Sequence, residues 1–116
     1  MELETLVEHW LTLPELAEQI DTPLPKVRQL VRERKLVTVP RGRPPVQYVP
    51  ADFVRDGKLV KGLAGALTVL HDAGYSDTEA LRWLFTEDDA LPGRPVDLMA
   101  QGRDTAVKRL AQVLAF

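Results

Sequence analysis

Three features of this chain predict a mainly helical fold with one small β element. Two short runs, LTLPELAEQI and PKVRQLVRER, carry apolar residues at helical spacing and are separated by the breaker Asp21-Thr22-Pro23. Two brief β-prone runs, LVTV and VQYV, flank the Gly-Pro-rich stretch PRGRPP, the pattern of a two-stranded hairpin. From Leu63 onward the chain alternates amphipathic stretches with Gly and Pro stops, which reads as a set of further short helices. The expected division is 1–56 for the first unit and 57–116 for a C-terminal helical subdomain.

Each element has a local cause. Leu3, Leu6, Val7 and Trp10 recur at helical spacing and predict a short first helix. Thr12 precedes LPELAEQI as an N-cap, Pro14 suits the first turn, and Glu15 stands three residues on, as a capping box requires. The stripe of this second helix is Leu13, Leu16, Ala17 and Ile20. Asp21 occupies a turn position that needs a left-handed residue, which Asp tolerates better than most. Pro25 starts the third helix, with Val27, Leu30 and Val31 turned inward. No Gly follows it, so Arg34 or Lys35 must close it. Leu36 to Val39 reads as a strand, PRGRPP as the hairpin tip, and Val46 to Val49 as the returning strand. Pro50 to Phe53 closes the unit, and the basic stretch Arg55 to Lys61 reads as a linker or an edge. Next come a helix from Leu63 that stops at Gly74 and a helix opened by the Ser76–Glu79 capping box. An acidic loop spans Thr86 to Arg94, Pro95 opens a short helix that stops at Gly102, and a last helix runs from Asp104 to the chain end. Helix, tight turn, helix and two-stranded wing, in that order, is a winged helix-turn-helix; the fold class is mainly α, with a C-terminal helical subdomain.

Composition narrows the function. The 116 residues suit one domain or a small domain with an extension. No apolar run is long enough to cross a bilayer, and the first residues carry Glu2 and Glu4 rather than a basic leader, so neither a membrane nor a secretory role is expected. Cysteine is absent, which excludes disulfides and thiolate metal sites and points to a reducing cytoplasm. The net charge of −2 conceals an asymmetry. Residues 1–25 hold six acids and no Lys or Arg; residues 26–61 hold ten bases and three acids; residues 62–116 hold five bases and eight acids. A block of +7 between acidic flanks focuses a positive field on one face, suited to a polyanion.

That block coincides with the third helix and the wing. A major groove about 12 Å wide admits one helix and displays a distinctive donor and acceptor code. With Val27, Leu30 and Val31 inward, Pro25, Gln29 and Arg32 point outward and Lys26 and Arg28 flank them. Gln29 can pair bidentately with adenine and Arg28 or Arg32 with guanine, each worth roughly 1–3 kcal/mol of discrimination. Lys26 and the amides near Pro25 suit a phosphate at a helix N-terminus. Lys35 extends the basic face, and Arg41 and Arg43 sit on the wing. Arg-Gly-Arg-Pro is also the core of the AT-hook peptide. Between two strands it reads as a wing tip, with two outcomes open: insertion into a narrow A·T minor groove, or contact with phosphates alone.

The N-terminal stretch resembles the small winged domains of the MerR and excisionase type through Leu11-Thr12, Glu15-Leu16-Ala17 and Val27-Arg28-Gln29-Leu30. The C-terminal half carries LTVLHDAGYSDTEALRWLF and RPVDLMA. These are similar to a small actinobacterial family of winged helix-turn-helix DNA-binding proteins, which includes a mycobacterial Ser/Thr protein kinase substrate. The resemblance implies a winged DNA-binding domain followed by a helical extension. The expected function is that of a double-stranded DNA-binding transcriptional regulator without cofactor or metal, in the cytoplasm at the nucleoid. Phosphorylation in that family concerns an N-terminal tail; here Thr5 is the nearest candidate, and its helical position makes it a poor kinase acceptor. RPVDLM with GRDTAVKRL also resembles the tail of toxin-binding antitoxins of the Xre/ParS type. That gives a competing expectation, a protein partner at the C-terminal helices, against the plainer reading that Leu98, Met99, Trp83 and Phe85 pack as core.

Catalysis is not expected. Ser76, the one serine, is a helix cap, and His9 and His71 have no partners at metal spacing. Glu87-Asp88-Asp89 fits no calcium-loop spacing and reads as solvated loop acids. One winged domain has a small footprint, so an operator calls for two copies, either a symmetric homodimer through the last helix or head-to-tail monomers.

Overall fold

The computed structural model describes residues 3–114. The elements in order are α1 (Leu3–Leu6), β1 (Trp10–Thr12), α2 (Leu13–Gln19), α3 (Leu24–Arg32), β2 (Val39–Arg41), β3 (Val46–Pro50), a 3-10 turn (Ala51–Phe53), β4 (Val54–Arg55), β5 (Lys58–Leu59), α4 (Leu63–Asp72), α5 (Asp77–Phe85), α6 (Pro95–Ala100) and α7 (Asp104–Leu114). The helix-turn-helix, the wing and the C-terminal helices are thus present in the expected order. The expectation that the last helix runs to the chain end is met as far as Leu114; residues 115–116 lie outside the described residues.

Both capping boxes form. The Thr12 hydroxyl accepts from the Glu15 N–H at 3.2 Å while the Glu15 carboxylate accepts from the Thr12 N–H at 2.8 Å. Ser76 and Glu79 repeat this at 3.1 and 2.9 Å. Four helices close by one device. A residue at positive φ follows the cap, its N–H and the next one reaching back to two orphan carbonyls. In α2 this residue is Asp21 (φ 49°), with Thr22 N–H to Ala17 C=O at 2.9 Å. In α3 it is Arg34 (φ 60°), with Lys35 N–H to Leu30 C=O at 2.9 Å. Gly74 and Gly102 serve α4 and α6 in the same way.

The β structure departs from expectation in three places. Trp10 does not extend the first helix. It opens β1, which pairs antiparallel with β3 (Leu11 opposite Val49), so the wing sheet has three strands in the order β1-β3-β2. The strand expected over Leu36–Val39 begins only at Val39, which stands opposite Tyr48. Leu36 and Val37 are both buried, which an alternating strand does not allow, and they plug the core as irregular chain. Pro40 and Arg41 therefore belong to β2, and the tip is Gly42 to Pro45. The stretch read as a linker or an edge contains a second hairpin, β4–β5, turned by Asp56 (φ 54°) and Gly57 (φ 77°). Two successive positive-φ residues make a two-residue turn whose twist matches the strands.

The buried residues form one cluster that draws on the whole chain. Leu11, Leu16, Val27, Val49 and Phe53 come from the winged part, and Leu67, Leu70, Leu81, Leu84, Phe85, Met99 and Val107 from the helices after it. The join is direct: α1 packs on α5, the 3-10 turn packs on α6, and the Phe53 and Phe85 rings lie 6.0 Å apart at 48°. Gly62 (φ 84°) lets α4 start against α7, since a Cβ there would stand 2.6 Å from Asp104 Cβ. The C-terminal helices are therefore the second wall of the winged part's core.

Candidate nucleic-acid interface

The interface begins with α3, whose orientation is fixed by its apolar stripe. Val27 is fully buried, and Leu24, Leu30 and Val31 pack against the core. Pro25, Lys26, Arg28 and Arg32 are exposed on the opposite side, with Gln29 half-buried between them. Lys26, Arg28 and Arg32 make no ion pair among the described residues, and their charges face solvent. At the N-terminus of α3 the row of free amides is missing. Pro25 has no N–H, and the Lys26 and Val27 N–H groups both donate to the Pro23 carbonyl at 3.0 and 3.2 Å. The cation at this end is the exposed Lys26 ammonium.

The outward face carries one acid that sequence reading passed over. Gln29 Nε2 donates to Glu33 Oε2 at 3.0 Å, and Lys35 Nζ lies 3.5 Å from Glu33 Oε1. The Gln29 hydrogen bond, then the Lys35 and Lys26 charges, hold the Glu33 carboxyl below the usual carboxylate range. The i,i+4 spacing of Gln29 and Glu33 was visible in the sequence. Two expected site residues, Gln29 and Lys35, are thus engaged by Glu33 in the free protein.

The wing divides its arginines. Arg41 is half-buried, its guanidinium carbon 4.8 Å from the Trp10 ring centre and 5.8 Å from that of Tyr48. Strand alternation puts Trp10, Tyr48 and Arg41 on one face of the sheet, while Leu11 and Val49 point into the core. No side-chain hydrogen bond or ion pair among the described residues engages the Arg41 guanidinium besides this contact with the rings. Arg43, at the tip, is exposed and unpaired among the described residues.

The remaining candidate groups are spent inside the fold. Arg94 binds Asp97 through two parallel bonds (Nε to Oδ2 at 2.7 Å, a second terminal bond at 2.9 Å), reaches Asp52 at 3.4 Å and stacks on Phe85 at 5.4 Å. These contacts raise the Arg94 pKa, the Asp97 hydrogen bond foremost. Pro95, Val96, Leu98 and Met99 are buried, so the antitoxin-like RPVDLM segment turns inward. Phe85 is core as expected; Trp83 is only half-buried and packs on the core from outside. His71 Nε2 contacts Asp77 at 3.0 Å, and Asp77 also pairs with Arg34 at 3.4 Å, tying the end of α3 to α5. Asp88 caps the Ala90 N–H at 2.8 Å within the acidic loop. Among the described residues no cluster of acids or histidines is placed to hold a metal, and no helix is long and apolar enough to cross a membrane.

Comparison with known proteins matches both parts of the chain. Residues 4–54 match the family model described as "DNA-binding protein Rv2175c, wHTH domain". Residues 60–115 match that described as "Rv2175c C-terminal domain of unknown function". The chain is 41% identical over 116 residues to the DNA-binding protein Rv2175c of Mycobacterium tuberculosis (strain ATCC 25618 / H37Rv), an alignment covering 90% of this chain and 79% of that protein. It also resembles the NMR structure of Rv2175c, with a TM-score of 0.80 and 39% identity, covering 94% of this chain and 82% of that one.

Proposed function

Because the chain belongs to the family of the mycobacterial DNA-binding protein Rv2175c, we propose that it binds double-stranded DNA and regulates transcription, working at the nucleoid in the cytoplasm. The observation that carries this reading is the exposed basic face of α3, Lys26, Arg28 and Arg32, none of them in an ion pair, followed in the chain by a wing whose Arg41 and Arg43 also make no ion pair among the described residues. In the proposed complex α3 lies in the major groove. Arg28 and Arg32 reach base edges, and Lys26 holds a phosphate. Gln29 exchanges Glu33 for a base or stays with it. Arg41, fixed by its stack, presents its edge to the backbone, while the free Arg43 is the residue that reaches the minor groove. Base contacts select the site and phosphate contacts set the register, the division that site-specific regulation requires.

The test is a fluorescence-anisotropy titration of mixed-sequence duplex across a salt series, followed by selection of preferred sites from genomic fragments. The reading predicts a logarithmic fall of affinity with salt, with a slope of about −0.9 per phosphate contacted, and a recoverable consensus. Absence of binding to every duplex in dilute buffer would overturn it.

The competing reading, a partner bound through the C-terminal helices, is left with the end of α7, where Val113 is 67% and Leu114 42% exposed. The same surface is the one a homodimer through the last helix would use. Leu114→Asp separates these from DNA contact: it abolishes self-association or partner binding and leaves the affinity of one copy for a half-site unchanged.

A further inference from the structure

The second hairpin, β4–β5, lies mostly between the two family matches, which end at residue 54 and resume at residue 60. Its placement is specific. A Cβ on Gly57 would stand 3.7 Å from the Gln19 carbonyl, so the tip of the hairpin leans on the end of α2, beside the turn of the helix-turn-helix. Residues paired across an antiparallel ladder share a face. Val54 and Leu59 form one pair and pack on the core; Arg55 and Lys58 form the other and are exposed. Lys58 lines one cleft with Lys26 and Leu30 of α3 and with Thr22 of the turn. It lines another with Arg55 and Lys61, on the side of α6. None of Lys26, Arg55, Lys58 and Lys61 makes an ion pair among the described residues. The acids of this neighbourhood are Asp56 in the turn and Glu18 and Asp21 at the end of α2, all three exposed; Glu33, which feels the Lys26 charge; and Asp52 and Asp97, which line a cleft with Arg55 but are both engaged by Arg94.

We infer that β4–β5 is a second, shorter wing that binds the DNA phosphate backbone beside the N-terminus of α3, with Lys58 and Arg55 as its contacts. This rests on the reading of α3 as the groove-binding helix. The geometry favours phosphate over base edges. Lys58 shares its cleft with Lys26, the residue at the edge of the α3 face, and not with Arg28 or Arg32. The two-residue turn holds Arg55 and Lys58 side by side without a flexible loop. A lysine or arginine on phosphate adds affinity and register but carries no sequence information. The hairpin therefore strengthens binding equally at preferred and non-preferred sites.

The test compares the full chain with the Arg55→Ala/Lys58→Ala and Arg28→Ala/Arg32→Ala variants on mixed-sequence and selected duplexes over a salt series. Amide spectra serve as the check that each variant is folded. The inference expects the hairpin variant to bind both duplexes roughly tenfold more weakly at low salt. Its logarithmic salt slope should be shallower by about 1.8, two phosphates' worth, with the ratio between the duplexes unchanged. The α3 variant should instead lose that ratio. Lys58→Glu, which leaves the fold's apolar contacts alone, should weaken binding further than Lys58→Ala. An unchanged affinity and slope in the hairpin variant, while the α3 variant weakens, overturns the second wing and leaves the DNA reading standing. Weaker binding at an unchanged slope, or a changed duplex ratio, overturns the phosphate contact. Failure of the unmodified chain to bind either duplex overturns the DNA reading itself.

Discussion

The Arg41 guanidinium carbon stands 4.8 Å from the centre of the Trp10 ring, joining two strands that never touch each other in the sheet. β3 lies between β1 and β2, so the stack crosses the sheet over Tyr48. It ties the two outer strands together at the base of the wing and gives the Arg41 charge an aromatic partner.

A double-mutant cycle measures this link. Trp10→Leu and Arg41→Ala should each destabilise the fold, with a coupling of about 0.5–1 kcal/mol between them in urea unfolding. A coupling near zero would mean that the ring and the guanidinium merely lie close. On DNA, Trp10→Leu should weaken binding less than Arg41→Ala, because it loosens the charge without removing it.

Glu33 sets a second expectation. It is the acid on the outward side of α3, and it holds Gln29 at 3.0 Å and Lys35 at 3.5 Å. Glu33→Ala should raise affinity for mixed-sequence DNA several-fold at low salt, since one repulsive charge goes and Gln29 and Lys35 are released. Anisotropy titration reads this directly; unchanged binding would place Glu33 away from the DNA.

Arg94 is expected to matter for stability rather than for binding. It joins Asp52, at the close of the winged part, to Asp97 on α6, and covers the Phe85 ring. Arg94→Ala should cost about 1–3 kcal/mol in chemical unfolding, because a half-buried bidentate pair and its stack are lost together. Arg94→Lys should recover little of this, since an ammonium cannot form the two parallel bonds. DNA affinity of the folded variant should stay the same.

The capping boxes predict the acid limb of stability. Backbone N–H groups of Thr12 and Ser76, with the hydroxyls of the same residues, hold the Glu15 and Glu79 carboxyls below the usual range. A group whose pKa is depressed by folding stabilises the fold above its unfolded value, and that contribution is lost as pH falls through the folded value. The loss should therefore come below about pH 4.3, the ordinary glutamate value. Glu15→Gln with Glu79→Gln keeps an acceptor in each box and removes its titration. The double variant should show a shallower fall of melting temperature in this window and a similar melting temperature near neutrality.

Much of the fold was legible because its causes span five residues or fewer. Thr12 with Glu15 and Ser76 with Glu79 announced two helix starts, Gly74 and Gly102 two stops, and Asp21 the left-handed turn. The second hairpin was half legible. Asp56-Gly57 is a strong turn pair, but the strands on either side are two residues long and show no alternation. β1 gave no signal, since a three-residue strand has no period and its partner lies across most of the winged part. The run LVTV misled in the other direction: its composition is that of a strand, while burial claimed Leu36 and Val37 for the core.

By itself the sequence determined where the helices after the first begin and end, that a basic middle third lies between acidic flanks, and which family the chain belongs to. Tertiary structure decided which bases stay out of ion pairs and which are taken up. Arg94 goes to Asp97 and Asp52, Arg34 to Asp77, Lys35 to Glu33 and Arg41 to the Trp10 ring, while Lys26, Arg28, Arg32, Arg43 and Lys58 keep their charges toward solvent. The reason is range. Caps and turns are fixed by hydrogen bonds between near neighbours in the chain, whereas an ion pair such as Arg94 with Asp52 exists only once a shared core has brought distant segments together.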